Sequence, residues 1–213
     1  MKKTTLLWLL CWLTFLRASA QTSPPVDSVR QYLDHMFANV DKTQVPTPYL
    51  EEYGNRLAPL RLFAGSLQDS NRTTATLWRL LYASVLSGNI NGPATLPTPP
   101  DLNVALRKQM AASPAIPILV QRLDYATLRP DAITAGLLRG QHEQLFDVPG
   151  RAQSPYLVRT LFAAAPARST VPTGNVAFLF PKALHLQSGD GSVAAISLDF
   201  GDGQDSIFGL YPF

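Results

Sequence analysis

The spacing of apolar residues changes once along this chain, near residue 145, and that change limits its architecture more than any motif does. Before it, residues recur on one face at helical intervals: Val29, Leu33, Met36, Phe37 and Val40 make one set, and Leu77, Leu80, Leu81, Ser84 and Val85 another. After it, apolar residues alternate. Val176, Phe178 and Phe180 form one run and Ile196, Leu198 and Phe200 the next, with Tyr156-Leu157-Val158 and Thr160-Leu161-Phe162 ahead of them. Helices followed by strands predict an α+β fold, not an alternating α/β sheet. The expected organisation is a signal peptide over 1–20, a leader over 21–26, a mainly helical domain over 27–144 and a β-rich domain over 145–213.

Local punctuation refines this. Asp27 or Ser28 caps a first helix, and Thr47-Pro48 opens a second that Gly54 ends. A third runs from about Thr73 to Ser87, where Gly88 stops it, and Trp78 and Tyr82 widen its apolar face. Residues 89–100 carry too many Pro and Gly residues for a regular element. Asp101 caps a helix to about Ala112, and Asp131 to Arg139 reads as the last. Ile116, Ile118 and Val120 alternate like a strand, but Pro117 predicts an edge position for it.

The N-terminus reads as an export signal. Lys2 and Lys3 precede an apolar run from Leu6 to Leu16, and Ala18-Ser19-Ala20 places small residues before a cleavage site at Gln21. The run is shorter than the roughly 20 residues a membrane span needs. Leu10 before Cys11 does not suit a lipoprotein signal. Lys2, Lys3 and Arg17 belong to this segment; without them the 18 basic residues fall to 15, equal to the 15 acidic ones. A balanced surface lacks the basic stripe of a nucleic-acid binder. Cys11 is the only cysteine, so the mature chain is expected to hold no disulfide, thiolate metal site or cysteine nucleophile.

Signals for catalysis are weak. His142-Glu143-Gln144-Leu145-Phe146 starts like a zincin helix, but Phe146 stands where the second zinc ligand belongs. His35, His142 and His185 are far apart in sequence, and no G-x-S-x-G elbow or nucleotide-binding glycine loop is present. Glu51 and Glu52 are adjacent, so on a helix they diverge and cannot face each other across a glycosidic bond; a solvated face is expected. Trp78 and Tyr82, one turn apart, are expected in the core and not on a carbohydrate platform. Asn71-Arg72-Thr73 is a formal glycosylation acceptor, relevant only in a eukaryotic secretory route. Asp199, Asp202 and Asp205 are the densest group of hard-oxygen ligands, a candidate calcium site at a β-turn. Such a site predicts a calcium-dependent rise in melting temperature that Asp199→Ala or Asp202→Ala abolishes. No shift at saturating calcium rules it out.

The stretch from Asp190 to Gly203, DGSVAAISLDFGDG, resembles the centre of PKD-type repeats, in which an alternating strand enters a D-F-G-D-G turn. Leu198 stands where many members carry Trp. The resemblance implies an immunoglobulin-like antiparallel β-sandwich, extracellular and used for spacing or adhesion. A sandwich of that kind takes about seven strands, so a partial domain in a piece of a longer protein is expected. Leu33 to Asp41, Trp78 to Ser84, Asp147 to Arg151, Ser154 to Tyr156 and Thr160 to Phe162 further resemble the N-terminal region of large secreted or surface proteins of Bacteroidota-type bacteria. The function expected on these grounds is non-catalytic scaffolding, adhesion or spacing at the cell surface. The remainder of the chain, a surface protein or a glycan is the expected partner, and no cofactor is expected unless calcium binds at Asp199, Asp202 and Asp205. The alternatives are an accessory region of a secreted hydrolase and a calcium- or carbohydrate-binding module.

Overall fold

The computed structural model describes residues 25–54, 56–62, 72–91, 96–168, 170, 176–189, 195–198 and 207–210, with backbone alone for 25–27, 195–198 and 207–210. The expected signal peptide lies outside the described residues. Helix α1 spans Pro25–Met36, so it already includes the end of the expected leader. Helix α2 spans Ala75–Ser87, and the Thr74 hydroxyl caps it by accepting from the Leu77 amide at 3.1 Å. Helix α3 spans Pro99–Ala112. Its cap is Thr98, not the expected Asp101: the Thr98 hydroxyl accepts from the Asp101 amide at 3.4 Å and donates to the Asp101 carboxylate at 2.5 Å. Two prolines in the first turn fit there because first-turn amides have no intrahelical acceptor.

Two expected helices are corrected. After Thr47-Pro48 the chain makes β-bridges, Tyr49 with Asn89 and Leu50 with Ala126, and then only a 3-10 turn, Glu51–Tyr53. Its backbone groups are already used: Leu50 donates to the Gly88 carbonyl at 2.8 Å, and Tyr49 accepts from the Ala126 amide at 2.7 Å. The approach is so close that a β-carbon on Gly88 would lie 2.7 Å from the Leu50 oxygen. Over 131–139, one helix-like turn ends at Gly136, whose φ of +68° takes it out of the helical region. The chain then enters a strand.

Strand β1, Ile116–Leu128, is the centre of the main sheet and not an edge. It pairs antiparallel with β4, Tyr156–Pro166, from Ile118↔Pro166 to Leu128↔Tyr156. Its other side pairs in parallel with two short strands, β5 at Phe178–Leu179 and β6 at His185–Gln187. Pro117 is tolerated because it lies just beyond the last β4 pair. Its carbonyl still accepts from Ala167 at 2.9 Å, so only one bond at the ladder's end is lost, and on the β5 side the Ile116 amide donates to the Ala177 carbonyl at 2.8 Å. Between β1 and β4, strands β2 (Leu138–Gln141) and β3 (Gln144–Asp147) form a hairpin. Strands β7 (Ala195–Leu198) and β8 (Ile207–Leu210) pair antiparallel in a separate sheet.

The α+β expectation is therefore met by helices around a mixed sheet and small antiparallel hairpins. The β1–β4 ladder crosses the boundary expected at 144/145, and residues from both sides share one core. On one face of the sheet, Leu119, Leu123, Tyr125, Ala163 and Ala165 pack with Trp78 and Leu81 of α2 and Leu102 and Leu106 of α3. A second cluster joins Ala126 to Leu33 and Phe37 of α1, to Leu50 and Tyr53, and to Leu138 and Leu145 of the β2–β3 hairpin. The strand positions alternate, so this cluster and the helices α2 and α3 lie on opposite faces. No helix among the described residues is long and apolar enough to cross a membrane.

Candidate functional site

The turn Glu51–Tyr53 separates two environments, because successive side chains on it diverge. Glu51 lines a small cleft bounded by Tyr49, Leu60, Ser84 and Tyr125. Arg56 closes its rim, 3.7 Å from the Glu51 carboxylate and mostly exposed. The Ser84 hydroxyl is committed to the fold, accepting from the Ala58 amide at 3.2 Å. Burial raises the phenol pKa of both Tyr49 and Tyr125, and the Glu51 charge raises Tyr125 further. Both remain neutral donors near pH 7. The cleft's room of about 10 Å³ is close to what a single water needs and far below the ~300–1,000 Å³ typical of ligand pockets, and its polar groups are hydroxyls and one ion pair. It is a packing gap on the scale of one water, with no room for a substrate.

Glu52 points the other way, which corrects the expected solvated face. Its Oε1 accepts from the Leu128 amide at 2.7 Å, tying the turn to the end of β1, and its Oε2 is buried. Burial is the main cause that raises its carboxyl pKa. Beside it in the same cluster, Tyr53 is 1% exposed, stacked at a tilt on Phe37 with ring centroids 4.8 Å apart. The Arg30 guanidinium and the Lys42 ammonium lie 4.8 and 5.1 Å from the Tyr53 ring centre. Burial pushes the Tyr156 phenol up to about 12. These groups are interior struts between α1, the turn and the sheet.

The remaining feature is the sheet face opposite α2 and α3. Antiparallel partners share a face, so Arg122 with Phe162 and Asp124 with Thr160 stand together there. Val158 and Phe162 are 54% and 59% exposed, an apolar stripe on a strand whose only partner among the described residues is β1. Between them the Thr160 hydroxyl donates to Asp124 Oδ1 at 2.7 Å. Arg122 lies 3.5 Å from the same oxygen. The chain leaving β6 is fastened here: the Ser188 amide donates to the Arg122 carbonyl at 3.0 Å, the Ser188 hydroxyl accepts from the Asp124 amide at 2.8 Å, and Arg122 Nη1 donates to the Ser188 carbonyl at 3.0 Å. Gly189 comes next with φ +73°, and a β-carbon there would overlap the Asp124 carboxylate.

Asp199, Asp202 and Asp205 lie outside the described residues. His142 and Glu143 form the turn of the β2–β3 hairpin with φ of 49° and 61°, so the zincin-like stretch is not helical. His35 sits by Gln144, with Nδ1 3.4 Å from its amide nitrogen. Among the described residues no three His, Cys, Asp or Glu side chains lie together as a metal site would require. Trp78 and Tyr82 are interior, 0% and 1% exposed, as expected. Sequence reading missed Glu52 and the stripe; alternation at 158, 160 and 162 was the available signal for the stripe. No protein-family model, curated protein or solved structure matches this chain.

Proposed function

We propose that this chain is a non-catalytic scaffold or spacer region of an exported cell-surface protein, and that its helix-backed sheet is the seat for a further β layer. The observation that carries this reading is the stripe of Val158 and Phe162, more than half exposed on the face opposite α2 and α3, between the end that α1 and the β2–β3 hairpin cover and the end where Phe178 and Phe180 pack on Ile118 and Val120. A bare apolar strand of this length invites pairing or packing. The antiparallel pairing of 195–198 with 207–210 supports the PKD-like part of the reading, because it sets the D-F-G-D-G stretch between paired strands. The layer comes from elsewhere in this chain or from a second copy.

The test is the double variant Val158→Asp, Phe162→Asp in the mature chain. A seated β layer buries both side chains, so the melting temperature is expected to fall by about 3 °C or more, on the scale of 2–4 °C per kcal/mol for a chain of this size. Polar replacement of side chains that stay in water changes stability by less than about 0.5 kcal/mol. An unchanged melting temperature therefore removes the seat.

A further inference from the structure

We infer that the outer edge of β4 pairs with the same edge of a second copy of this chain, antiparallel about a two-fold axis at Thr160. A contact of this kind goes beyond the scaffold role, since backbone groups at the edge of the sheet make it, whatever covers the face. Hydrogen bonds at the two ends of the β1–β4 ladder show which way each residue of β4 points. Ala167 donates to the Pro117 carbonyl at 2.9 Å, and Arg129 donates to the Pro155 carbonyl at 2.8 Å. Both pairs continue the ladder's register, which runs without a bulge. Hydrogen-bonded and non-hydrogen-bonded pairs alternate along an antiparallel ladder, so the odd-numbered residues of β4 turn N–H and C=O toward β1. The other side of β1 agrees: its even-numbered Ile116 and Ala126 donate away from β4, to Ala177 and Tyr49. The even-numbered residues of β4 therefore turn their backbone groups outward. The Tyr156 amide is used by the Ser154 hydroxyl at 3.1 Å. The amides of Val158, Thr160, Phe162 and Ala164 have no acceptor among the described residues.

The strand is complementary to itself. With the axis at Thr160, Val158 lies opposite Phe162 of the second copy, Phe162 opposite its Val158, and Thr160 opposite Thr160. Each of the four outward amides then reaches a carbonyl of the other chain. Apolar and threonine pairs of this kind favour a ladder. Arg159 is the one charged residue of β4, and in this register it meets Leu161. Moving the axis to Arg159 opposes the two guanidinium groups. Moving it to Leu161 sets Thr160 against Phe162 and parts the two apolar residues. Edge strands that stay single are blunted by lysine, proline or a bulge. The outward positions from Tyr156 to Ala164 carry none of these, and the proline of β4 stands at its very end, Pro166. Val158 and Phe162 are more than half exposed in the single chain, so pairing covers apolar surface that the chain itself leaves in water. Because the same patch serves both subunits, the contact closes at two copies.

The expected cysteine-free mature chain makes cross-linking clean. Opposed residues of a hydrogen-bonded pair stand about 5.5 Å apart at Cα, within the reach of a disulfide. Mild oxidation of Thr160→Cys is therefore expected to link two chains. Ala164→Cys is exposed on the same edge but lies about 27 Å from its counterpart in this register, and is expected to stay unlinked. In sedimentation, the mature chain is expected to dimerise as its concentration rises. Thr160→Lys opposes two like charges at the axis and is expected to raise the dissociation constant at least about tenfold relative to Thr160→Val. Both variants lose the Thr160 bond to Asp124, so their difference reads the edge alone. A chain that stays monomeric at every soluble concentration overturns the inference. So does a dimer indifferent to Thr160→Lys, or one that links as fast at Ala164→Cys as at Thr160→Cys. If the chain is monomeric and Val158→Asp, Phe162→Asp still lowers its melting temperature, the seat stands and is filled from within the chain. If it does not, the scaffold reading fails as well.

Discussion

Replacing Trp78 with alanine is expected to destabilise the fold by about 3–5 kcal/mol, the cost of deleting a large core aromatic. That corresponds to a fall in melting temperature of roughly 6–20 °C. The indole is 0% exposed and sits where α2 meets the sheet. Its ring stacks on Tyr82 with centroids 5.7 Å apart and planes 18° from parallel. Its Nε1 donates to the Ala163 carbonyl on β4 at 3.2 Å, and its own carbonyl accepts from the Gln121 amide side chain at 3.0 Å. Deletion leaves a cavity and an orphaned β4 carbonyl together. Trp78→Phe separates the two: it keeps most of the volume and loses the donor, so a smaller loss of about 1–3 kcal/mol is expected. Thermal and denaturant unfolding of both variants check this. A Trp78→Ala chain that melts like wild type but loses affinity for a polysaccharide would restore the carbohydrate platform.

Trp78 also marks what could be read in advance. Helical spacing with Leu81 and Val85 is a local property, and local properties survive into the structure: α2, its glycine stop and the interior position of Trp78 and Tyr82 follow from it. Readings failed where a distant partner decides. Pro117 is an edge signal only if its amide would have been needed, and that depends on where the β4 register ends at Pro166. Thr47-Pro48 starts no helix because Ala126 and Gly88 claim the next backbone groups. The stripe on β4 is visible as alternation, but its exposure depends on where the cover from α1 and the β2–β3 hairpin and that from Phe178 and Phe180 stop on the face opposite α2 and α3. Nothing near Gly189 in sequence announces that Asp124 lies against it.

Glu52 gives the sharper chemical test, because its role depends on pH. On a solvated face, Glu52→Ala would change stability by less than about 0.5 kcal/mol. With Oε1 accepting from the Leu128 amide inside the fold, the same substitution leaves a buried donor unsatisfied and is expected to cost about 1–3 kcal/mol. Glu52→Gln keeps an oxygen for that amide and removes the charge. The direction with pH follows from the raised carboxyl pKa, caused first by burial. The folded state then holds the proton more tightly than the unfolded chain, so folding is favoured at low pH. Stability is lost as pH rises from the ordinary glutamate value through the raised folded value, and is level beyond it. The glutamine variant has no such loss. Its stability relative to wild type is therefore expected to increase with pH across that window and to stay constant above it. Urea unfolding of both chains from pH 4 to 8 measures the difference. A gap that stays flat with pH would mean that Glu52 titrates as it does in water, and that the strut between the turn and β1 does not depend on a buried carboxyl.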